Sequence, residues 1–555
     1  MAGQITNNIA SHLSSMAEKQ PWRQAVVFPH SRDSQGRVSY THYTFLQLEQ
    51  ASNQIASGLL KIGIKRGMRT ALMAPPSLDF FALTFALFKL GAVPVLIDPG
   101  IGLSSLGKGL SEAEPEAFIG IPKAHFARIL FGWARKTISI KIVVGINPLP
   151  GGHTLDEIKR LGSAASSFES VIPEPGEVAA ILFTSGSTGP SKGVVYTHEY
   201  FTEQVKQLKR IYGIAPGEID LPTFPLFSLF GPALGMTAII PDMDPTRPAN
   251  VDPAKILEAA NNFGVTEMFG SPALLNRVGH YGQEHHVHFP VSLRRVISAG
   301  APASVKILER FCAMLPPGVQ VFTPYGATEC LPVASIGSDV ILKETRFQTD
   351  IGKGVCVGFP VPELTVKIIN ITDTPIEQWS DTLVLPQGTI GEIAVKGPHA
   401  TRYYYHQPEA TALAKIPEGK GSSFYHRMGD VGYLDEKGRI WFCGRKAHRV
   451  VTPTTTFFTI PCEAVFNTHP AVYRSALVGV KRNGVTKPAI CIELEPSVTK
   501  PDLDTIRKEL LAIGAKSPHT APIQTLFFHP AFPVDIRHNA KIFREKLTIW
   551  AQQQI

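Results

Sequence analysis

The chain has 555 residues, of which 44% are hydrophobic and 18% charged, and its formal net charge is +8. That length exceeds what one core fills, so a large domain with at least one smaller companion is expected, and the ordinary balance of apolar and charged residues excludes a long disordered chain. Six cysteines, at 312, 330, 356, 443, 462 and 491, never approach within eighteen positions of one another, which excludes a Cys-x-x-Cys metal or redox pair and makes a reducing, cytoplasmic location the simplest home.

The first twenty residues lack the basic start, apolar core and small-residue cleavage site of a secretory signal. From Thr41 to Pro99, helix-like and strand-like runs alternate: FLQLEQASNQIASGLLKIGI is amphipathic, whereas TALMAPP and GAVPVLIDP read as short apolar strands. This alternation predicts α/β layering. Phe80 to Ile97 is the most apolar stretch, but Lys89, Gly91 and Pro94 interrupt it, and a span needs about 20 apolar residues. A buried helix leading into a buried strand is expected there, with no transmembrane segment and peripheral membrane contact left open.

Residues 181–193, ILFTSGSTGPSKG, carry an apolar strand into a loop of hydroxyls, glycines and one lysine. Such a loop suits phosphate, because glycines let backbone N–H groups converge on an anion while Ser, Thr and Lys add donors and charge; a surface turn is the plain alternative. It is not a Walker loop, since Ser191 precedes Lys192 and Gly193 follows it. Gly352–Gly358 misses the dinucleotide fingerprint by one position and is given a turn or packing role. RRVISAGAP, VQVFTPYGATE and IGEIAVKGP are further apolar runs ending in turns. YHRMGDVGYLDEKGRIWFCGR reads as a hairpin around Asp435-Glu436-Lys437-Gly438. Beyond it VVTPTTTFFT is a break, after which SALVGV and AICIELEP alternate with the helical PDLDTIRKELLAIG. The domain boundary is therefore predicted near Arg445, giving residues 1–445 and 446–555. The last 110 residues hold fourteen Lys and Arg against eight Asp and Glu, but they are scattered and no nucleic-acid signature accompanies them.

The loop at 184–193, followed in order by Gly300-Ala301-Pro302, Tyr325-Gly326-Ala327-Thr328-Glu329, Gly429-Asp430, Gly444-Arg445 and Asn539-Ala540-Lys541-Ile542, resembles the adenylate-forming superfamily over nearly the whole chain. The resemblance implies a large N-terminal α/β domain of layered sheets and helices with a small mobile α+β domain, using ATP and Mg2+. It implies that Thr184, Ser185, Gly186, Ser187, Thr188, Gly189 and Lys192 hold the ATP phosphates, that Gly300, Ala301, Pro302, Tyr325 and Gly326 line the adenine, and that Thr328 touches the α-phosphate. Glu329, with Thr184, would hold magnesium; Asp430 and Arg445 would hold the ribose; Lys541 would be carried into the site by the small domain. Taken singly, Gly-Asp is commonly a turn and most lysines are solvated. No nucleophilic side chain is needed, although Cys330 lies beside Glu329, close enough to perturb thiol labelling.

Two departures from thioester-forming relatives stand out. His448 occupies the place of the hinge aspartate and the glycine loop that follows is replaced by Val450-Val451-Thr452-Pro453-Thr454-Thr455-Thr456, which resists open backbone conformations. Ser228 stands where many relatives carry a gating histidine. With FPLFSLFGPALG and RKAHRVVTPTTTFFTIPCEAVF, the chain looks most like the olefin-pathway β-lactone synthetases (OleC). That resemblance implies activation of a long-chain 2-alkyl-3-hydroxyalkanoic acid as acyl-adenylate, followed by attack of its own β-hydroxyl, with other hydrocarbon-pathway enzymes as partners. An acyl-CoA synthetase, using CoA, ranks second and a free acyl-AMP ligase third; a silent nucleotide-binding scaffold is the reading from a different class. Alkyl chains are expected against Phe227 to Met236 and Met268 to Leu275, and His448 and Asp535 are candidate bases.

Overall fold

A computed structural model describes residues 8–98, 102–146, 151–165, 167–184, 191–499, 501–534 and 542–555. Among them a seven-stranded sheet runs in the order His153–Thr154, Ile140–Val143, Ala117–Gly120, Arg69–Met73, Val93–Leu96, Val178–Phe183 and Gly193–Thr197. All neighbours are parallel except the last pair. Side chains alternate across it as the pleat requires: Leu72, Ile119 and Ala180 enter one core, whereas Ala71, Phe118 and Ile181 enter another. The first core receives helices Phe45–Lys61 and Leu78–Leu90, the second helices Leu103–Ala113 and Pro122–Leu130.

The expected elements form where the pattern places them. Helix Phe45–Lys61 starts at a capping box in which Thr44 and Gln47 bond each other's backbone. Helix Leu78–Leu90 is buried on nearly every side and leads through Gly91 into the fully buried strand Val93–Leu96, and no described helix is long and apolar enough to cross a membrane.

A second, larger sheet joins a parallel half to an antiparallel one. Strands Thr237–Ile239, Ile219–Pro222, Glu267–Phe269, Arg295–Ile297 and Gln320–Ala327 are parallel. From there Cys330–Gly337, Val355–Pro360, Ile440–Arg445 and Phe424–Leu434 continue antiparallel. The predicted hairpin is present: Leu434 pairs with Ile440, and Asp435 Oδ1 accepts from the amides of Lys437 and Arg439 at 3.0 and 2.8 Å. Gly358 does pack tightly, since a Cβ there would meet Ser335 O at 2.2 Å.

Beyond Arg445 the structure changes scale. The predicted break forms a small hairpin pairing Val450–Val451 with Thr456–Phe457. A three-stranded sheet follows, Val472–Arg482, Val485–Leu494 and Thr525–Phe528, with helices Thr459–Phe466 and Leu503–Gly514 in one core and the final helix Arg544–Gln552 in another. Glu463 ties these layers: both its oxygens accept from Arg544, at 2.5 and 2.9 Å, and Oε1 also accepts from the Leu477 amide at 2.8 Å. Glu463 is buried. Glu463→Ala strands the Arg544 guanidinium and is expected to cost about 3–5 kcal/mol, seen in differential scanning calorimetry as a lowered unfolding midpoint.

Candidate active site

The carboxyl ends of parallel strands from both sheets open on one cavity of about 670 Å3. Leu96 and Asp98, Leu182 to Thr184, Thr223, Phe269 and Ser271, Ala299 and Gly300, Pro324, and Gly326 to Glu329 all line it. Ligands in open α/β sheets sit at such ends, because loops there are free to vary while the strands hold them.

One end of the cavity is polar. The phosphate-loop candidate is pinched at its base, where the Lys192 amide donates to Thr184 Oγ1 at 3.3 Å and the Thr184 amide donates to Lys192 O at 3.0 Å. Ser185, Gly186, Ser187, Thr188 and Gly189 lie outside the described residues, as do Lys541 and Asp535. The Lys192 ammonium sits 4.8 Å from the centre of the Tyr404 ring, and the Tyr404 hydroxyl donates to Glu329 Oε1 at 2.6 Å. Thr328 and Glu329 form the two-residue tip of a hairpin in which Ala327 pairs with Cys330. Tyr196 fixes that tip by donating to Thr328 O at 2.6 Å. Gly326 is required at its base, since a Cβ there would meet Cys330 O at 2.6 Å. Cys330 itself is fully buried and its thiol is pushed up to about 12 by burial, so the expected sensitivity to labelling is corrected: the side chain points into the core.

Sequence reasoning missed Tyr404 and a second lysine behind it. Lys415 is buried, donates to Thr401 O, and lies 5.9 Å from the Tyr404 ring and 5.3 Å from that of Phe424. Burial lowers its ammonium to about 7, with Glu329 opposing. Its neighbour His426 is held well below the usual imidazole value, by burial and then by Lys415. Neither residue belongs to a motif, and neither shows a periodic signal.

Asp430, Arg445 and Tyr325 come together beside this end. Asp430 and Arg445 face each other in register on adjacent strands, with 3.0 Å between Arg445 Nη1 and Asp430 Oδ1. The Tyr325 hydroxyl donates to Asp430 Oδ2 at 2.7 Å. Burial raises the Asp430 carboxyl, against the pull of Arg445 and the Tyr325 hydroxyl. Gly444 is needed here too, since a Cβ would meet Thr459 Oγ1 at 2.1 Å. Gly300 lines the cavity with φ of 98°, Ala301 is half-buried and Pro302 is exposed. Another buried carboxylate, Glu392, bonds Arg427 at 2.7 Å and Lys446 at 3.1 Å, and all three line the cavity.

The other end is apolar. Phe224, Phe227, Phe230 and Phe269 form a ring cluster, with Phe227 and Phe269 centroids 4.4 Å apart. Phe227, Phe230, Ala233 and Phe269 line the cavity as expected, whereas Met236, Met268 and Leu275 belong to the packed cores. Phe85, Phe88 and Phe201 also line it; their sequence context reads as ordinary core. Ser228 does not line it: its hydroxyl bonds Pro225 O at 2.5 Å within its own turn. His448 is likewise absent from the lining. It packs 3.7 Å from Glu545 of the final helix, and burial holds its imidazole at about 4.

Residues 13–405 match the model of the AMP-binding enzymes, and the chain belongs to that family. It is 49% identical to an olefin β-lactone synthetase of Xanthomonas campestris over 551 residues, 99% of this chain and 98% of that one. It is 47% identical to an olefin β-lactone synthetase of Stenotrophomonas maltophilia, over 99% of this chain and 98% of that protein. Its fold is that of the amide bond synthetase McbA of Marinactinospora thermotolerans, with a TM-score of 0.77 at 21% identity over 98% of this chain and 99% of that one.

Lys415 gives the site a pH signature. The folded value near 7 lies below the unfolded one of about 10.4, so the unfolded chain binds more protons in between and this lysine's destabilising effect is fully present below pH 7 and fades as pH rises. Lys415→Met is therefore expected to raise the unfolding midpoint most at pH 6 to 7, the advantage shrinking toward pH 10 in thermal melts.

Proposed function

We propose that the protein activates a long-chain 2-alkyl-3-hydroxyalkanoic acid with ATP as its acyl-adenylate and closes it to a β-lactone, releasing pyrophosphate and then AMP. The observation that carries this reading is one cavity whose cationic and hydroxyl-lined end is continuous with an aromatic apolar end, in a chain nearly half identical to olefin β-lactone synthetases along its full length.

Lys192, Thr184, Ser185, Gly186, Ser187, Thr188 and Gly189 take the ATP phosphates, Thr328 the α-phosphate, and Tyr325, Gly326 and Gly300 to Pro302 the adenine. Asp430 and Arg445 take the ribose. Asp430 is buried and already engaged, so it orders Tyr325 and Arg445 and reaches ribose by exchanging one of those contacts. Glu329 and Thr184 offer the hard oxygen donors that magnesium selects; when bound, that ion would neutralise charge on the phosphates. With Tyr404 on Oε1, Glu329 is oriented toward this task. Lys541 supplies a positive charge from the smaller unit, whose boundary with the larger we place at Arg445.

In the first step a carboxylate oxygen attacks the α-phosphorus in line and pyrophosphate leaves, the protein contributing position and electrostatics. In the second the β-hydroxyl oxygen attacks the acyl carbon and AMP leaves. Chains held among Phe224, Phe227 and Phe269 exclude water from the adenylate and keep the hydroxyl near the carbonyl. The Ser228 hydroxyl turned into its own helix and the hairpin at 450–457 both suit an acceptor that is internal, not a CoA thiol.

Incubation with ATP, magnesium and such an acid, with and without CoA, is expected to give a CoA-independent product one water lighter than substrate, identified as a β-lactone by NMR. A thioester formed only with CoA would replace this reading with an acyl-CoA synthetase. Glu329→Gln and Lys541→Ala are each expected to slow pyrophosphate–ATP exchange by about 100-fold or more.

A further inference from the structure

Helix Pro122–Leu130 has its polarity reversed. Phe126, Ile129 and Leu130 lie three and four positions apart, hence on one face, and that face is turned to solvent: the three are 65%, 54% and 64% exposed, and Phe131 beyond them is 51% exposed. Two of its three polar residues face inward. His125 is fully buried with Nε2 2.9 Å from Ile142 O, and the buried Arg128 guanidinium lies 5.6 Å over the Phe118 ring. Burying a guanidinium while exposing four large apolar side chains is unfavourable twice over in water. Such a surface is stable in function only against a medium or partner that covers it.

The charge around it selects the occupant. Residues 117–146 contain Lys123, Arg128, Arg135, Lys136 and Lys141 and no Asp or Glu. Lys123, Arg135 and Lys136 are exposed. An isologous pair of copies would press two such basic surfaces together. We propose that this helix docks the enzyme on an anionic lipid surface, with Phe126, Ile129, Leu130 and Phe131 entering the acyl boundary and Lys123, Arg135 and Lys136 on headgroup phosphates. The apolar face supplies burial and the cations supply attraction, the two components of interfacial binding. Docking stands on this surface alone and not on the proposed reaction, although an acid with two long alkyl chains would itself partition into such a surface.

The test is co-sedimentation of the intact protein with vesicles of phosphatidylcholine alone or mixed with phosphatidylglycerol. Binding to the mixed vesicles that weakens with salt is expected. F126S/I129S/L130S should lower vesicle partitioning about tenfold or more, and R135E/K136E should remove the preference for phosphatidylglycerol, while pyrophosphate–ATP exchange is unchanged in both. Wild-type protein that stays in the supernatant with both vesicles would overturn docking, as would a triple variant that sediments like wild type. So would a triple variant altered only in size-exclusion volume, which would make the face a contact between copies. Absence of any lactone from wild-type enzyme would sink the proposed reaction and leave the vesicle result readable.

Discussion

The register pairing of Asp430 with Arg445 is the interaction around which the site is organised. Both sit on strands of one hairpin, and the hairpin's two residues per side-chain repeat place them on the same face at the same height. A desolvated carboxylate is tolerable only when its oxygens are engaged, and Tyr325 completes the set from a strand separated from that hairpin by two others in the sheet. Three separate segments are thus held in one place by one buried charge. Arg445 is also the last residue of its strand, so the pair anchors the point where the chain leaves the larger sheet. Lys446 follows and is held in turn by Glu392 and by Thr372 O at 2.8 Å.

A similar economy governs the neighbouring residues at this end. Tyr404 presents its hydroxyl to Glu329 and its ring face to Lys192, with Lys415 farther off. One aromatic side chain therefore contacts an anion and a cation at once, and the ring quadrupole attracts the ammonium. A polyanion entering between them meets Lys192 already partly desolvated, which is the condition under which a fixed charge acts strongly.

Much of this was legible in the sequence, and what was not has a physical reason. The layered fold, the buried Phe80 to Ile97 stretch, the hairpin around Asp435 to Gly438 and the strand-end placement of Gly300, Thr328 and Arg445 all follow from local pattern and motif. Which motif residues touch each other does not. Asp430 reads as a ribose ligand, and nothing local reveals that Tyr325, more than a hundred positions earlier, bonds it. Tyr404, Lys415, His426 and Glu392 carry no spacing that distinguishes them from structural residues, because their roles arise from sheet order. Phe85, Phe88 and Phe201 read as core since a cavity wall and a core have the same composition. Hydrophobic period also gives no direction: it places Phe126, Ile129 and Leu130 on one face without saying that this face turns outward.

The apolar end of the cavity decides how an adenylate made here would be spent. An acyl-adenylate is lost to water unless a nucleophile reaches the carbonyl first, and an internal hydroxyl competes through effective concentration, worth on the order of 10⁵ M or more when well oriented. Orientation requires that the chain on each side of the carbonyl be held, and aromatic side chains do this at small entropic cost, having few rotamers to lose. Phe224, Phe227 and Phe269 line the cavity, and so do Phe85, Phe88 and Phe201. A wall lined in this way admits neither water nor a solvated arm readily, and the Ser228 hydroxyl, satisfied within its own turn, offers no polar relay through it. The same packing that grips alkyl chains therefore favours closure on the substrate's own hydroxyl over transfer to an external acceptor.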